Sequence, residues 1–369
     1  MNRKEDININ SKVLEYIDSS ISSNTARAYR SDWEDFKKFC KYNKYQELPA
    51  KYETIGELSL WNFDGSSTGQ APGIDSEVYL KPIRVYLDPF NKDGQLGNGK
   101  IFNHLVLCET INADMKRPHE TNTRHQLNSL LSNNEISKQK PQFGFEMEFF
   151  MMDTQSGRPL GFPDNGEPPK QGQFYCSNGA KNCYGRKIMD EHYDACLYAG
   201  VNIVGVNAEV ACGQWEYQVF GDALNACDDA WMSRYILSRV AEKHNVEISW
   251  HPKPIKGDCN GSGMHTNFST EAMREDGGLQ YILNAMPKLE AKHKEHLEVY
   301  GVDNDKRLTG EHETASMDKF SWGYADRGRS IRISKLVEKE GNGYFEDRRP
   351  ASSCDMYLVA HKLIETVCS

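Results

Sequence analysis

Hydrophobic and polar residues alternate along residues 143–151. Every second position is large and apolar: Phe143, Phe145, Met147, Phe149 and Met151. Glu146 and Glu148 lie between them. Successive side chains of a β-strand point to opposite faces, so the pattern predicts a strand with one apolar face and two carboxylates on the other. Residues two apart on a strand are about 6.6 Å apart at Cα, a spacing that suits two neighbouring divalent cations.

A second alternating run predicts another carboxylate-bearing strand over residues 214–219. Polar Gln214, Glu216 and Gln218 alternate there with an aromatic or branched residue at each intervening position. Glu209 comes shortly before, next to a glycine-containing bend. We therefore expect two strands or strand ends in residues 207–218, each offering one carboxylate.

Apolar residues at three- and four-residue spacing predict the helices. The predicted helices span residues 121–131, 186–199, 223–243, 279–300 and 356–367. Residues 74–90 and 101–112 are predicted to form strands, which include the runs 78–80, 83–87 and 105–108. Residues 11–20 and 24–40 also read as helices. The second resembles the start of the helical DNA-binding domain of tyrosine recombinases, down to the Leu-Pro-Ala turn at residues 48–50. No recombinase catalytic domain follows, so we interpret residues 1–50 as a helical extension without a DNA role.

Composition narrows the classes of protein. The chain of 369 residues carries a net charge of −9, which disfavours general nucleic-acid binding. It has no apolar run long enough for a bilayer and begins with polar residues instead of a signal-peptide core. Its ten cysteines include no C-x-x-C pair, which is typical of reduced thiols. These features predict a cytoplasmic protein with no membrane partner.

The remaining candidate chemistry lies in two polar segments. Asn260 and Gly261 begin a glycine-rich loop that leads into a short strand carrying His265, and Glu346 stands beside two arginines. Together with the four glutamates above, they form an oxygen-rich set with one imidazole. Such a set suits Mg²⁺ or Mn²⁺ and argues against a thiolate zinc site.

Seven runs in a fixed order resemble the glutamine synthetase family of the eukaryotic type. They are residues 61–67, 143–149, 207–218, 260–269, 307–313, 326–332 and 344–350. The resemblance covers residues 57–369 and implies an α+β fold. It implies a β-grasp small domain at residues 51–117, here truncated, and a catalytic domain at 118–369 with an antiparallel sheet flanked by helices. The helical segment of residues 1–50 stands in the place of the first strands.

The resemblance implies an ATP-dependent ligase that joins ammonia to L-glutamate through a γ-glutamyl phosphate. Two cations, Mg²⁺ or Mn²⁺, would serve each active site, with ATP as co-substrate. Two alternatives stay open at this point. One is a γ-glutamyl ligase that uses another amine, and Asp64 argues against it because an ammonium site needs a negative charge. The other is a catalytically impaired structural or regulatory homologue, and the complete ligand set argues against that.

The resemblance also implies roles for individual residues. One metal site would take Glu148, Glu209 and Glu216, and the other, facing the nucleotide, would take Glu146, His265 and Glu346. Substrate-binding residues would be Asn260, Gly261, Arg307, Arg327 and Arg348. ATP contacts would come from Glu146, Glu216, Asn267, Phe268, Ser269, Arg327, Arg332, Tyr344 and Phe345. Catalytic residues would be Asp64 at the ammonium site, Glu313 on a closing flap, and Arg348. Because the Asp64 loop completes a neighbouring subunit's site in the family, a ring-like homo-oligomer is expected.

Overall fold

The computed structural model describes residues 58–92, 94–96, 99–101 and 103–369. The predicted helices at 11–20 and 24–40, and the proposed extension at 1–50, lie outside these residues. From Leu60 onward the chain forms one compact unit. The predicted boundary between a small domain and a catalytic domain at residue 117 stays a prediction.

A small antiparallel sheet opens the described part of the chain. It contains β1 (Trp61–Asp64), β2 (Glu77–Leu87) and β5 (His104–Ile111) in the order β1-β2-β5. Two short strands, β3 (Gly94–Leu96) and β4 (Gly99–Ile101), pair only with each other among the described residues. The predicted runs at 78–80 and 83–87 belong to one strand, because the pairing of β2 with β5 continues past an irregularity between Pro82 and Arg84.

The large sheet carries the rest of the strands. They are β6 (Gln142–Asp153), β7 (Ile203–Ala208), β8 (Gln214–Asp222), β9 (Val246–Ser249), β10 (Met264–Ser269), β11 (Trp322–Tyr324), β12 (Ile331–Ile333) and β13 (Phe345–Asp347). The order is β11-β12-β13-β10-β6-β8-β7, with β9 paired to the end of β6. All pairs are antiparallel except β11 with β12. The α+β class expected from the sequence is confirmed.

Two helices match their predicted bounds, and the other predicted helices in the described residues differ from theirs. The described helices are α1 (Thr123–Leu131), α2 (Asn134–Ser137), α3 (Arg186–Ala199), α4 (Ala223–Lys243), α5 (Glu271–Arg274), α6 (Leu279–Ala291), α7 (His293–Val299), α8 (Lys335–Glu340) and α9 (Met356–Cys368), with a 3₁₀ turn at Asn304–Lys306. The first begins two residues late because the Asn122 side chain accepts a hydrogen bond from the His125 N–H and caps it. The single helix predicted over 279–300 is wrong, since Lys292 leaves helical geometry between α6 and α7.

The apolar face of the large sheet forms the core together with the helices. Phe143, Phe145, Met147 and Phe149 on β6 are fully buried, as the alternation predicts. On β8 the intervening aromatic residues Trp215 and Tyr217 lie on that same face. Period-two alternation therefore leaves the opposite face of the central strands to the glutamates.

Candidate functional site

The carboxylate-bearing strands lie side by side in the large sheet. On β6, Glu148 is directly opposite Glu216 of β8. On the other side of β6, Glu146 is directly opposite His265 of β10. In each pair the two residues are neighbours on adjacent strands, and side chains at such positions are close enough to interact. Strand pairing thus brings together Glu146 and His265, which are 119 positions apart in the chain.

Two further carboxylates complete the polar face. Glu346 on β13 pairs with Asn267 of β10 on one side and Arg332 of β12 on the other. Glu209 directly follows β7, where its carboxylate accepts hydrogen bonds from the Asn207 side chain at 2.8 Å and the Val210 N–H at 3.3 Å. All six predicted metal ligands consequently lie on this face or at its edge.

The six side chains form overlapping clusters. Glu148, Glu209 and Glu216 each offer an oxygen within 4.8 Å of the others, and so do ligand atoms of Glu146, Glu216 and His265. Glu216 belongs to both sets. Glu346 joins from the side, with its Oε1 at 3.6 Å from His265 Nδ1. The predicted division into two sites of three ligands thus has a shared member that the sequence did not suggest.

Burial and mutual repulsion penalise the charged form of these carboxylates. Burial raises the pKa of Glu148, and it raises the pKa of Glu216 well above its ordinary value with Glu146 adding to the shift. For Glu209, burial and the neighbouring Glu148 raise the pKa to about 8. Burial and nearby Arg348 hold the pKa of His265 well below its usual range. A hard divalent cation would supply the missing positive charge, so the donor set fits Mg²⁺ or Mn²⁺.

Arginines surround the carboxylates. Arg348 and Arg332 each donate to Glu346 at 2.6 Å, and Arg327 lies 3.7 Å from Glu313. Arg307 is different, because it is buried and makes no ion pair with a described carboxylate. Its Nη2 donates to the Arg348 carbonyl at 3.0 Å and contacts His265 Nε2 at 3.2 Å.

The glycine-rich loop makes room for Arg307. A Cβ at Gly263 would lie 2.3 Å from Arg307 Nη2, and one at Gly261 would lie 2.9 Å from Arg307 Cγ. The absence of a side chain at Gly261 and Gly263 therefore leaves the space that the Arg307 side chain occupies. Asn260 is held beside them, since its side chain donates to Gln214 at 3.0 Å.

These residues line a cleft with a volume of about 580 Å³. Predicted site residues in its wall are Glu146, Glu148, Glu209, Glu216, Asn260, Gly261, His265, Arg307, Glu313, Arg327, Arg332, Glu346 and Arg348. A second cavity of about 460 Å³ is bordered by Asn267, Phe268, Ser269 and Tyr344. The two cavities have Glu146 and Gln218 in common, so they adjoin at the carboxylate clusters.

Three predicted residues are placed differently. The side chains of Phe268 and Phe345 are fully buried and contact each other in the core, with ring centroids 5.5 Å apart. Only their backbone is left to face a nucleotide. Asp64 lies on β1 outside the lining of the cleft, with Ser66 and Ser67 hydroxyls donating to its carboxylate. These hydrogen bonds lower its pKa to about 2.

Sequence reasoning missed the amides that hold the carboxylates. Gln218 donates to both Glu216 and the Asn207 side chain, and Asn207 in turn donates to Glu209. Asn267 donates to Glu146 at 2.7 Å. The signal was present in the alternation, because Gln218 and Asn207 occupy the same strand face as the glutamates. Gln171 and Tyr175, in the long loop before α3, also line the cleft, and nothing in their sequence context marks them.

An α+β fold and a cleft with overlapping oxygen-rich clusters, walled by arginines, define a class of protein that handles anionic substrates with divalent cations. A family model described as glutamine synthetase, catalytic domain, matches residues 120–278. A glutamine synthetase of Yarrowia lipolytica is 50% identical over 327 residues, covering 88% of this chain and 86% of the relative. The chain belongs to the glutamine synthetase family.

Other relatives agree. Glutamine synthetase N-1 of Phaseolus vulgaris is 45% identical over 358 residues, which cover 96% of this chain and 98% of the relative. A protein named glutamine synthetase cytosolic isozyme 1-1 of Oryza sativa is 49% identical over 325 residues, covering 88% and 89%. The cryo-EM structure of Plasmodium falciparum glutamine synthetase has the same fold, with a TM-score of 0.67 at 18% identity over 86% of this chain and 66% of that chain. No described helix is long and apolar enough to cross a membrane.

Proposed function

We propose that this protein joins ammonia to the γ-carboxylate of L-glutamate with hydrolysis of ATP, releasing glutamine, ADP and phosphate. Relatives at 45 to 50% identity over most of the chain support glutamine synthesis from glutamate and ammonia. The observation that carries the proposal is the meeting of two oxygen-rich clusters at Glu216, inside a cleft walled by arginines. Phosphoryl transfer to a carboxylate needs fixed positive charge on both reactants, and this arrangement supplies it.

Arg307 is the residue that we assign to the α-carboxylate of glutamate. It is buried, lines the cleft and has no described carboxylate partner. Burial lowers its pKa to about 10, so the guanidinium keeps its charge at neutral pH. A planar guanidinium can bind a carboxylate through two parallel hydrogen bonds, which a lysine cannot. Asn260 and the Gly261 carbonyl border the same part of the cleft and would hold the amino group.

The nucleotide would occupy the adjoining cavity. Its lining is mainly apolar, with Tyr344 and Phe220 exposed on its walls, which suits a purine base. Its end at Glu146 opens toward Arg332, Arg327 and Arg348, which would bind the phosphates. Ser269 and Asn267 supply polar groups along the way, and Phe268 and Phe345 contribute backbone alone.

Glu148, Glu209 and Glu216 would hold one divalent cation, and Glu146, His265 and Glu346, with Glu216 shared, would hold the other. When bound, the two cations would neutralise charge on the phosphates and on the substrate carboxylate. The chain's own groups prepare this binding. Asn207, Gln218 and Asn267 fix the carboxylate rotamers through the hydrogen bonds described above, in the way that outer hydrogen bonds orient metal ligands.

Asp64 and Glu313 would handle ammonia. Asp64 stays ionised over the physiological range, so its negative charge can attract ammonium. Glu313 sits at a positive φ of 59° on an exposed segment beside Arg327, where it can cover the bound acyl phosphate. Because Asp64 is outside the lining of this chain's cleft, we place it in the site of a neighbouring copy in a ring-like homo-oligomer. The relative named as a cytosolic isozyme supports a cytoplasmic location.

The test is a reaction with ATP, Mg²⁺, glutamate and ammonium, in which phosphate and glutamine are measured together and each component is omitted in turn. Equal amounts of both products are expected, with no phosphate in the absence of glutamate.

Glu216→Gln should lower the rate at least 100-fold, because it removes a charge from both clusters. The matched control is Glu338→Gln on α8, an exposed helical glutamate paired with Lys335. Phosphate release independent of glutamate would refute the proposal, and a preference for methylamine over ammonium would identify another γ-glutamyl ligase.

A further inference from the structure

A groove on the surface of α4 is separate from both cavities of the proposed active site. It has a volume of about 630 Å³ and is lined by Trp231, Arg234, Tyr235 and Ser238 of α4 and by Trp250 and Val302 from two loops. The four helical residues follow a spacing of three, one and three, so they share one face of α4. None of these six residues lines the catalytic cleft. We call this feature the α4 groove.

The α4 groove is aromatic and exposed. Tyr235 and Val302 are among the exposed large hydrophobic residues, with 43% and 74% of their surface accessible. The carbon of the Arg234 guanidinium lies 5.3 Å from the ring centroid of Trp231 and 4.5 Å from that of Trp250. Aromatic side chains that line a groove suit a planar ligand.

Arg234 brings a positive charge without a counter-ion. It is buried, its Nη atoms donate to the backbone carbonyls of Ser352 at 2.6 Å and Cys354 at 3.2 Å, and it makes no ion pair with a described carboxylate. Its Nε and the Trp231 Nε1 are two of the four buried side-chain nitrogen or oxygen atoms without a hydrogen-bond partner in the described part of the chain. Burial lowers the pKa of Arg234, and neighbouring groups that include Asp355 offset the shift only in part. Arg234 therefore places a positive charge in the wall of the groove that no described carboxylate pairs with at ion-pair distance.

We propose that the α4 groove binds a small aromatic carboxylate, with its ring against the aromatic side chains that line the groove and its charge toward Arg234. His251 also borders the groove, but its Nε2 lies 3.2 Å from Asp303, so that charge is already compensated. Arg234 is therefore the cation that an anionic ligand would meet. Charge complementarity and the aromatic walls together favour this ligand over a neutral or an aliphatic one.

The walls of the α4 groove share backbone with the catalytic cleft. Pro252, which also lines the groove, accepts a hydrogen bond from the Ser262 N–H at 2.8 Å, and Ser352 donates to the Ser262 carbonyl at 3.1 Å. Ser262 lies between the two glycines that seat Arg307. A ligand that shifts these segments would change the affinity for glutamate more than the turnover rate. This second part rests on the proposed function, whereas binding itself does not.

In the binding test, indole-3-acetate is the probe, and titration calorimetry measures its binding to the full chain. Indole-3-acetamide tests the need for the charge, and cyclohexylacetate tests the need for the aromatic ring. Both should bind at least tenfold more weakly than indole-3-acetate.

Ser238→Phe should fill the groove and abolish binding, with Ser129→Phe on the exposed side of α1 as the matched control. Absence of probe binding, or equal binding to the Ser238→Phe variant, would overturn the proposal.

Two variants separate charge from folding. Arg234→Gln should weaken indole-3-acetate at least tenfold and leave the acetamide unchanged. Because Arg234 is buried and its loss could unfold the protein, Val302→Asp provides a surface alternative that places a negative charge at the groove and should weaken the acetate selectively. Equal weakening of acetate and acetamide in Val302→Asp would contradict the role of charge. The KM for glutamate is then measured with saturating indole-3-acetate. An unchanged KM would refute the coupling between the α4 groove and glutamate binding, whereas the calorimetric test of probe binding does not depend on that result.

Discussion

Arg307 Nη2 lies 3.2 Å from Nε2 of His265. A guanidinium has only donors, so Nε2 must accept this hydrogen bond, and the ring proton of neutral His265 is on Nδ1. Nδ1 faces Glu146 at 3.6 Å and Glu148 at 3.9 Å. A metal bound at Nδ1 would require the other tautomer, in which an Nε2–H would face an Arg307 N–H. Metal binding and the position of Arg307 are therefore linked.

This relationship predicts cooperative binding of glutamate and metal. A substrate carboxylate that draws Arg307 away from His265 frees Nε2 to carry the proton and Nδ1 to coordinate. We expect saturating glutamate to tighten Mn²⁺ binding about fivefold or more, which corresponds to roughly 1 kcal/mol of coupling. Mn²⁺ titrations by electron paramagnetic resonance, with and without glutamate, would measure it. Identical Mn²⁺ affinities in the two titrations would rule out the linkage.

Arg307→Gln should impair glutamate binding selectively. Loss of a charge-assisted pair of hydrogen bonds costs about 1.5 to 3 kcal/mol, so the KM for glutamate should rise by roughly 10-fold to 150-fold. The KM for ATP should change much less, because the nucleotide cavity does not include Arg307. Steady-state kinetics with each substrate varied would separate the two. Arg239→Gln, at a partly buried arginine of α4 outside both cavities, is the control and should change neither KM value. An equal rise in both KM values would assign Arg307 a structural role.

Glu209→Gln should have opposite effects on metal binding and on stability. In the metal-free protein burial raises the pKa of Glu209 to about 8, so the carboxyl opposes folding increasingly as the pH rises from its unfolded value of 4.5 toward 8. Glutamine removes this penalty and should stabilise the metal-free protein at pH 8 by on the order of 1 kcal/mol or more. It should also weaken Mn²⁺ binding at least tenfold. Urea unfolding in EDTA, beside Mn²⁺ titration, provides both readouts, and a destabilised metal-free variant would be the contrary result.

Asp64→Asn should raise the KM for ammonium while leaving the affinities for ATP and glutamate nearly unchanged, because the side chain is exposed on β1 and lies outside the cleft lining. Asp75→Asn, at an exposed residue of the loop that joins β1 to β2, is the matched control. If Asp64 serves a neighbouring subunit, oligomers mixed from Asp64→Asn and Arg307→Gln subunits should recover part of the activity that each variant lacks alone. No recovery in subunits shown to mix would place Asp64 outside the neighbour's site.

His192 should make the stability of the protein depend on pH. It is fully buried with its Nε2 donating to the Ser233 carbonyl, and burial lowers its pKa from 6.5 to about 4. The imidazole of His192 therefore binds a proton more tightly in the unfolded chain than in the folded protein. The contribution of neutral His192 to stability is complete above pH 6.5 and decreases as the pH falls toward 4. The loss amounts to about 3 kcal/mol. Urea unfolding of His192→Gln between pH 4.5 and 7.5 should show a flatter profile than the parent, whereas exposed His104→Gln should not.

Local patterns in the sequence were enough for several parts of this protein. The alternation around Glu146 and Glu148 determined the strand, its buried face and the direction of both carboxylates, because a strand allows only two faces. Helical periodicity located α3 and α4 to the residue. The ordered motifs identified the family, and with it the six candidate ligands. Each of these conclusions depends on residues close together in the chain or on motifs that can be compared one by one.

Only the tertiary structure decided how those pieces meet. Strand register put His265 opposite Glu146 and made Glu216 common to two clusters, and register depends on contacts between distant segments. The packing of Arg307 against Gly261 and Gly263 was also decided by tertiary contacts, because it joins segments more than forty residues apart. Phe268 and Phe345 belong to nucleotide motifs, yet the sheet buries their rings. The α4 groove left no mark on the sequence, since its walls come from a helix and two loops brought together by folding.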